Sequence, residues 1–298
     1  MSLPRLALAV IGDEIGPSLD EMISFCSEQE VRRLDMRTVD GKNLLGMTLD
    51  EAGAIARRLE TEGISIPTFV SPLLKWPAPG KDSEGGKVDF AFDPSTCPAE
   101  DPHAHAFDIA AILGADKIRV FSHLRYPGYR PDDLIGRFER LADLSLTYSV
   151  TVEIENEPVC NVGSITELAD FFTTLAEAVE ANPMPGVQLR PLVDIGNSWS
   201  MGKPPTDAEI AQLAPLVDLI HLKDRDTTAK RTVPFGDGDI PWAAELTRLL
   251  TAAAGGPDHV REIYASIETH CPQDARNATA RSVAGLRRIA AEIGVEVV

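Results

Sequence analysis

Four segments in the second half of the chain each finish an apolar run with a side chain that can bind a divalent metal or move a proton. They are VEIENEP with Glu155, LVDIGN with Asp194, IHLKD with His221 and SIETH with Glu268. One carboxylate at the end of an apolar run is most often a helix cap or a surface charge; four such residues in succession form a pattern. Alternation sorts their faces. Thr151, Glu153 and Glu155 share one side of an extended segment, and Val152 and Ile154 share the other. Leu219, His221 and Lys223 oppose Ile220 and Leu222 in the same way, Tyr264, Ser266 and Glu268 oppose Ala265 and Ile267, and Asp194 opposes Val193. Three carboxylates gathered on one face repel each other unless a cation joins them. Three carboxylates with one imidazole suit Mn2+, Mg2+ or Co2+, with Zn2+ as a further candidate. No thiolate belongs to the set, which argues against structural zinc. An ion placed there, flanked by Glu155 and Glu268, suits proton abstraction from a carbon next to a carbonyl. One carboxylate removes the proton, the metal stabilises the enediolate, and the other carboxylate returns a proton.

Other side chains are candidates for holding a substrate. Lys223 and Asp224 follow His221 closely, and each either meets substrate or pairs with the other. His270 follows Glu268. Arg37 and Arg119 lie on expected strands, where an arginine either binds substrate oxygens or holds a carboxylate in place. Arg225, Lys230 and Arg231 form a basic patch that either binds a substrate phosphate or carboxylate or is simply solvated. Trp76 and Trp199 could stack on a sugar face or serve as ordinary packing. Cys160 and Cys271 have no base arranged to activate them, and the segment FGDGDIPW lacks the context of a phosphate-cradling loop.

These residues need a scaffold that brings strand ends together. Apolar runs suggest strands near Leu6–Ile11, Arg33–Arg37, Ile64–Val70, Lys117–Phe121, Thr151–Glu155, Leu189–Asp194, Leu219–Lys223 and Tyr264–Glu268. Amphipathic stretches alternate with them. Leu168, Phe172, Leu175 and Val179 recur at helical period, as do Leu134, Phe138 and Leu141, and Val283, Leu286, Ala290 and Ile293. Thr48 with Glu51 and Ser164 with Glu167 have capping-box spacing. Strand–helix alternation in a chain of 298 residues predicts one α/β domain over residues 1–298, a (β/α)8 TIM barrel. The stretch from Pro72 to Pro102 breaks the rhythm and reads as a long loop after the third strand, a candidate lid.

A net charge of −18 makes the chain a poor partner for nucleic acid or an anionic membrane. Cys26, Cys97, Cys160 and Cys271 match neither a zinc motif nor a disulfide framework, which fits reduced thiols in a cytoplasm. The first apolar run, Leu6–Ile11, is too short for a signal core or a membrane span.

The segments RRLDMRTVDGKNLL and AFDIAAILGADKIRVFS, with the four ligand strands, resemble the xylose isomerase-like barrel superfamily, also known as sugar phosphate isomerases/epimerases. The resemblance implies a single-metal site of Glu155, Asp194, His221 and Glu268, with Glu155 and Glu268 doubling as the acid–base pair. Glu157 is the rival to Glu155. The family ligand commonly precedes an Asn, which favours Glu155 because Asn156 follows it. Many members carry a His three residues after the Asp ligand, where this chain has Asn197. Asn can hydrogen-bond a substrate hydroxyl but cannot shuttle a proton near neutral pH. The implied function is a metal-dependent isomerase or epimerase of a small sugar or polyol. The alternatives are a dehydratase of the inosose dehydratase type, a multi-metal phosphodiester hydrolase and a non-catalytic sugar-binding barrel. Self-association into a homo-oligomer is common among such barrels.

Overall fold

A computed structural model describes residues 3–85, 92–181, 188–256 and 260–298. Eight parallel strands form its centre: β1 (Arg5–Ile11), β2 (Leu34–Asp35), β3 (Thr68–Val70), β4 (Lys117–Val120), β5 (Thr151–Glu155), β6 (Leu189–Asp194), β7 (Leu219–Leu222) and β8 (Glu262–Ile267). Each pairs with its neighbours in the chain except β2 with β3, and β8 returns to pair with β1 along its length, Arg5 opposite Glu262 through Val10 opposite Ile267. The seam between β2 and β3 is closed by isolated bridges, Arg33 with Ser65 and Met36 with Phe69. Leu34 and Met36 donate their N–H groups there to Ser65 and Thr68 carbonyls, both at 3.0 Å. The result is the expected (β/α)8 barrel. Regular pairing at this seam is shorter than the apolar pattern suggests. Pro67 lies between the two bridges and has no N–H to give to a ladder.

Nine helices are present among the described residues: α1 (Leu19–Gln29), α2 (Leu49–Thr61), α3 (Pro102–Leu113), α4 (Asp132–Tyr148), α5 (Ile165–Ala181), α6 (Ile195–Ser200), α7 (Asp207–Leu213), α8 (Trp242–Gly255) and α9 (Ala275–Glu292). The periodic apolar residues face the barrel. Leu134, Phe138, Leu141, Leu168, Phe172, Leu175, Val283, Leu286 and Ala290 are buried in one continuous core, and Val179 and Ile293 pack against it. The capping box at Thr48 and Glu51 forms. Ser164 and Glu167 exchange the same reciprocal bonds, at 3.0 and 3.3 Å. No helix among the described residues is long and apolar enough to cross a membrane.

The long connection after β3 is docked rather than free-standing where it is described. Lys75 pairs with Glu157 at 3.6 Å, and Leu124 N–H donates to the Trp76 carbonyl at 3.1 Å. Residues 86–91, within the candidate lid, lie outside the described residues. A short hairpin, Asp224–Asp226 with Arg231–Val233, follows β7 directly and stands over the same end of the barrel.

Candidate metal centre and proton-transfer site

Consecutive strands deliver the site. Glu155 ends β5, Asp194 ends β6, His221 lies within β7 and Glu268 follows β8 directly. All four are buried, and one ligand atom from each lies within 4.8 Å of the others. Asp194 also caps α6, its Oδ1 accepting from Asn197 N–H at 2.7 Å. Asn156 clips β5 to β6. Its Nδ2 donates to the Asp194 carbonyl and its Oδ1 accepts the Asp194 N–H, both at 2.9 Å. Gly196 is required where α6 begins, because a Cβ there would overlap the Lys223 carbonyl oxygen.

His221 Nδ1 sits 3.2 Å from Glu155 Oε1 and 3.3 Å from Glu268 Oε2. Adjacent ligands around one ion with bonds of about 2.1 Å stand about 3.0 Å apart, so both separations from His221 Nδ1 are close to those of neighbouring ligands in one coordination shell. Lys223 Nζ completes the cluster, 3.1 Å from Asp194 Oδ2, 2.9 Å from Glu268 Oε2 and 3.1 Å from Asn197 Oδ1. Two arginines brace the glutamates from behind. Arg119 donates to Glu155 Oε2 at 2.6 Å, and Arg37 donates to Glu268 Oε1 at 2.9 Å. Arg37 also holds Glu14 at 2.8 Å and Asp13 at 3.0 Å.

The charges are strongly coupled. Burial would raise Glu155, but His221 and Arg119 hold it well below the usual carboxylate range. Burial likewise opposes ionisation of Glu268, and Lys223 and His270 overcome it. Burial dominates at Asp194, lifting it to about 6 despite Lys223. Burial disfavours charge on His221, yet Glu155 and Glu268 raise it to about 10. Among the described residues, five carboxylates (Asp13, Glu14, Glu155, Asp194 and Glu268) meet three fixed cations, Arg37, Arg119 and Lys223. With His221 neutral, as a metal ligand must be, the deficit is two charges, which one divalent cation would supply. The donor set and its spacing therefore fit a single hard or borderline ion.

The sequence candidates divide by position. Asn197, Lys223, Arg37 and His270 are all brought to the cluster. Asn197 Nδ2 lies 3.5 Å from Glu155 Oε1, and His270 Nε2 lies 3.0 Å from Glu268 Oε1. Arg37 and Arg119 are fully buried and hold carboxylates, the second of the two roles weighed for them. Asp224 does not pair with Lys223; its carboxylate accepts N–H groups from Arg225, Gly236 and Gly238 at 2.8, 2.9 and 3.0 Å. Glu157 turns away to Lys75. Trp76 packs on Phe92, ring centres 6.3 Å apart, and Arg225 lines a neighbouring cavity with Trp199. The sequence reading missed Asp13 and Glu14. The available signal was the acidic pair directly after the first apolar run, in IGDE.

A family model described as xylose isomerase-like TIM barrel matches residues 29–289. Among solved structures, the chain is similar to the IOLI protein with a bound zinc atom, at 15% identity and TM-score 0.66, covering 97% of this chain and 98% of that one. It is similar to the probable 3-DHS dehydratase AsbF from Bacillus anthracis at 15% identity and TM-score 0.63, covering 95% and 98%. A xylose isomerase-like TIM barrel protein from Mycobacterium smegmatis, in complex with magnesium, matches at 13% identity and TM-score 0.61, covering 97% of both chains. Separately, 101 residues are 35% identical to the transcriptional repressor TraM of Rhizobium radiobacter, 34% of this chain and 84% of that one. That match leaves most of the barrel outside it.

Proposed function

The chain belongs to the xylose isomerase-like TIM barrel family, and from that premise we propose that it is a divalent-metal-dependent isomerase or epimerase of a small sugar or polyol. The observation that carries this reading is the pair of buried glutamates, each ionised and braced by its own arginine, on either side of His221 Nδ1. Glu155, Asp194, His221 and Glu268 would hold the ion. When bound, the ion supplies Lewis acidity toward a substrate oxygen and acidifies the adjacent C–H. A carbon next to a carbonyl then loses its proton to one glutamate, and a carboxylate returns a proton to the same or the neighbouring carbon. Arg119 and Arg37 fix the two carboxylates in place and keep them ionised, as a base must be. Lys223 offsets negative charge developing on the substrate oxygen, and Asn197 orients both Lys223 and Glu155. The zinc and magnesium in the two similar structures support the choice of a divalent ion.

A dehydratase is the second reading, favoured by His270 beside Glu268. An imidazole there can protonate a departing β-hydroxyl after the same C–H cleavage. A multi-metal hydrolase is disfavoured. The second metal-capable group, Glu14, Glu268 and His270, shares Glu268, and the Arg37 guanidinium bonds both glutamates. Deuterium incorporation next to the carbonyl, for a panel of ketoses and aldoses in D2O, tests the proposal. Glu155→Gln and Glu268→Gln should each slow exchange roughly 10²–10⁴-fold with an unchanged circular dichroism spectrum. Near-wild-type exchange in both variants would refute the acid–base pair, and a product lighter by one water would select the dehydratase.

A further inference from the structure

Two cavities flank the hairpin that follows β7. One, of about 370 Å³, is lined by Arg231, Arg281 and His270, and its arginines are already matched: Arg231 with Asp226 at 3.9 Å and Arg281 with Asp237 at 2.5 Å. The other, of about 570 Å³, is lined by Trp199, Met201, Arg225 and Lys230. Neither the Arg225 guanidinium nor the Lys230 ammonium has a side-chain partner among the described residues. That is notable in a chain with 46 acidic and 28 basic residues, where carboxylates are in surplus. Arg225 is half-buried, so it is partly desolvated without a counter-charge. Lys230 has φ 53°, a left-handed conformation in which glycine is customary. Strain of that kind concentrates at binding and switch positions.

Chain connectivity places this cavity beside the metal centre. Trp199 lies on α6, which starts at the Asp194 cap, and Arg225 follows Lys223 by two residues. Two walls of the cavity are thus joined to the cluster by short stretches of chain, residues 194–199 and 223–225. We propose that this cavity is an anion subsite, binding a terminal phosphate or carboxylate of the small sugar whose carbonyl end lies between Glu155 and Glu268. The inference rests on the proton-transfer reading for the identity of that sugar, while the anion site itself stands on its own geometry. The Arg225 fork suits paired oxygens of either group, Lys230 adds a point charge, and Trp199 offers an apolar wall to the carbon chain.

Calorimetric titration of the metal-free, full-length protein with inorganic phosphate and, separately, with acetate tests the subsite. We expect saturable binding at one site, weakened roughly 10–100-fold by Arg225→Gln and by Lys230→Gly, as expected for loss of a charged hydrogen bond. Lys230→Gly removes the charge while relieving the backbone strain, so thermal melts should show it folded. His221→Ala should retain binding. Tighter phosphate than acetate identifies a phosphorylated substrate class, and the reverse identifies a sugar acid. The subsite is overturned if neither anion saturates the wild type, if both variants bind as well as the wild type, or if His221→Ala alone abolishes binding. Anion binding without deuterium exchange on any sugar would remove the proton-transfer reading and leave the subsite. Exchange without anion binding would do the opposite.

Discussion

His221 carries a proton where a bound ion would stand. Its Nδ1 lies between Glu155 and Glu268, and those carboxylates lift it to about 10 against the cost of burial. A metal ligand must be neutral imidazole, so binding below that pH displaces a proton. The sign follows: affinity for the ion rises with pH up to about 10 and falls as the solution is acidified. Asp194, raised to about 6, adds a second proton to be displaced below that value. Titration of Mn2+ into metal-free protein, repeated in buffers of different ionisation heat, should report release of about one proton per ion at pH 7.5 and more at pH 5.5. Zero release at pH 7.5 would mean that His221 Nδ1 is not a ligand. Part of this was legible. Residue type and alternation pointed to Glu155, Asp194, His221 and Glu268, which the structure brings together, while the choice of Glu155 over Glu157 rested on the family resemblance. The bracing of the glutamates was not. Arg37 reaches Glu268 across 231 positions of sequence, a pairing that only barrel closure brings about.

At the scale of elements, the strands that carry the candidate ligands were read almost to the residue, since β5 through β8 are largely buried and alternate aliphatic residues with the polar ones that face the site. The β2–β3 seam was not, because Pro67 interrupts pairing and propensity does not report a missing donor. The hairpin after β7 was read only as a basic patch. Its strands are three residues each, too short for a periodic signal. That hairpin leads into a loop that meets α9 so closely that helix propensity gives the wrong sign at Gly285. A glycine inside a helix usually gains about 0.5–1 kcal/mol on replacement by alanine. Here a new Cβ would overlap the Phe235 carbonyl oxygen, and backbone cannot swing aside as a side-chain end can. Gly285→Ala should therefore destabilise the protein by about 1–3 kcal/mol, the range for overpacking a filled interior. Urea denaturation decides it: a midpoint equal to or above wild type would show that α9 can shift away from the loop without cost.

At the scale of the whole molecule, the candidate ligands from β5, β6, β7 and β8 bring half of the barrel ring to one cluster, and the turn after β1 adds Asp13 and Glu14 through Arg37. An ion that binds this assembled ring and not the unfolded chain stabilises the fold by mass action, about 2.7 kcal/mol at a hundredfold excess over Kd. For a barrel of this size that corresponds to a rise in Tm of roughly 4 °C. The pH dependence separates this site from adventitious binding. In the metal-free protein His221 has a folded-state pKa above its ordinary 6.5. Its ion pairs therefore contribute stability that is full below pH 6.5 and drains away as the pH climbs toward about 10. The ion has the opposite slope, because it competes with that same proton. The gap in Tm between Mn2+-loaded and chelator-treated protein should thus widen from pH 6 to pH 8, and His221→Ala should abolish it. A gap that stays constant across that interval, or survives in His221→Ala, would place the stabilising ion elsewhere and remove the ring of four ligands as the molecule's metal centre.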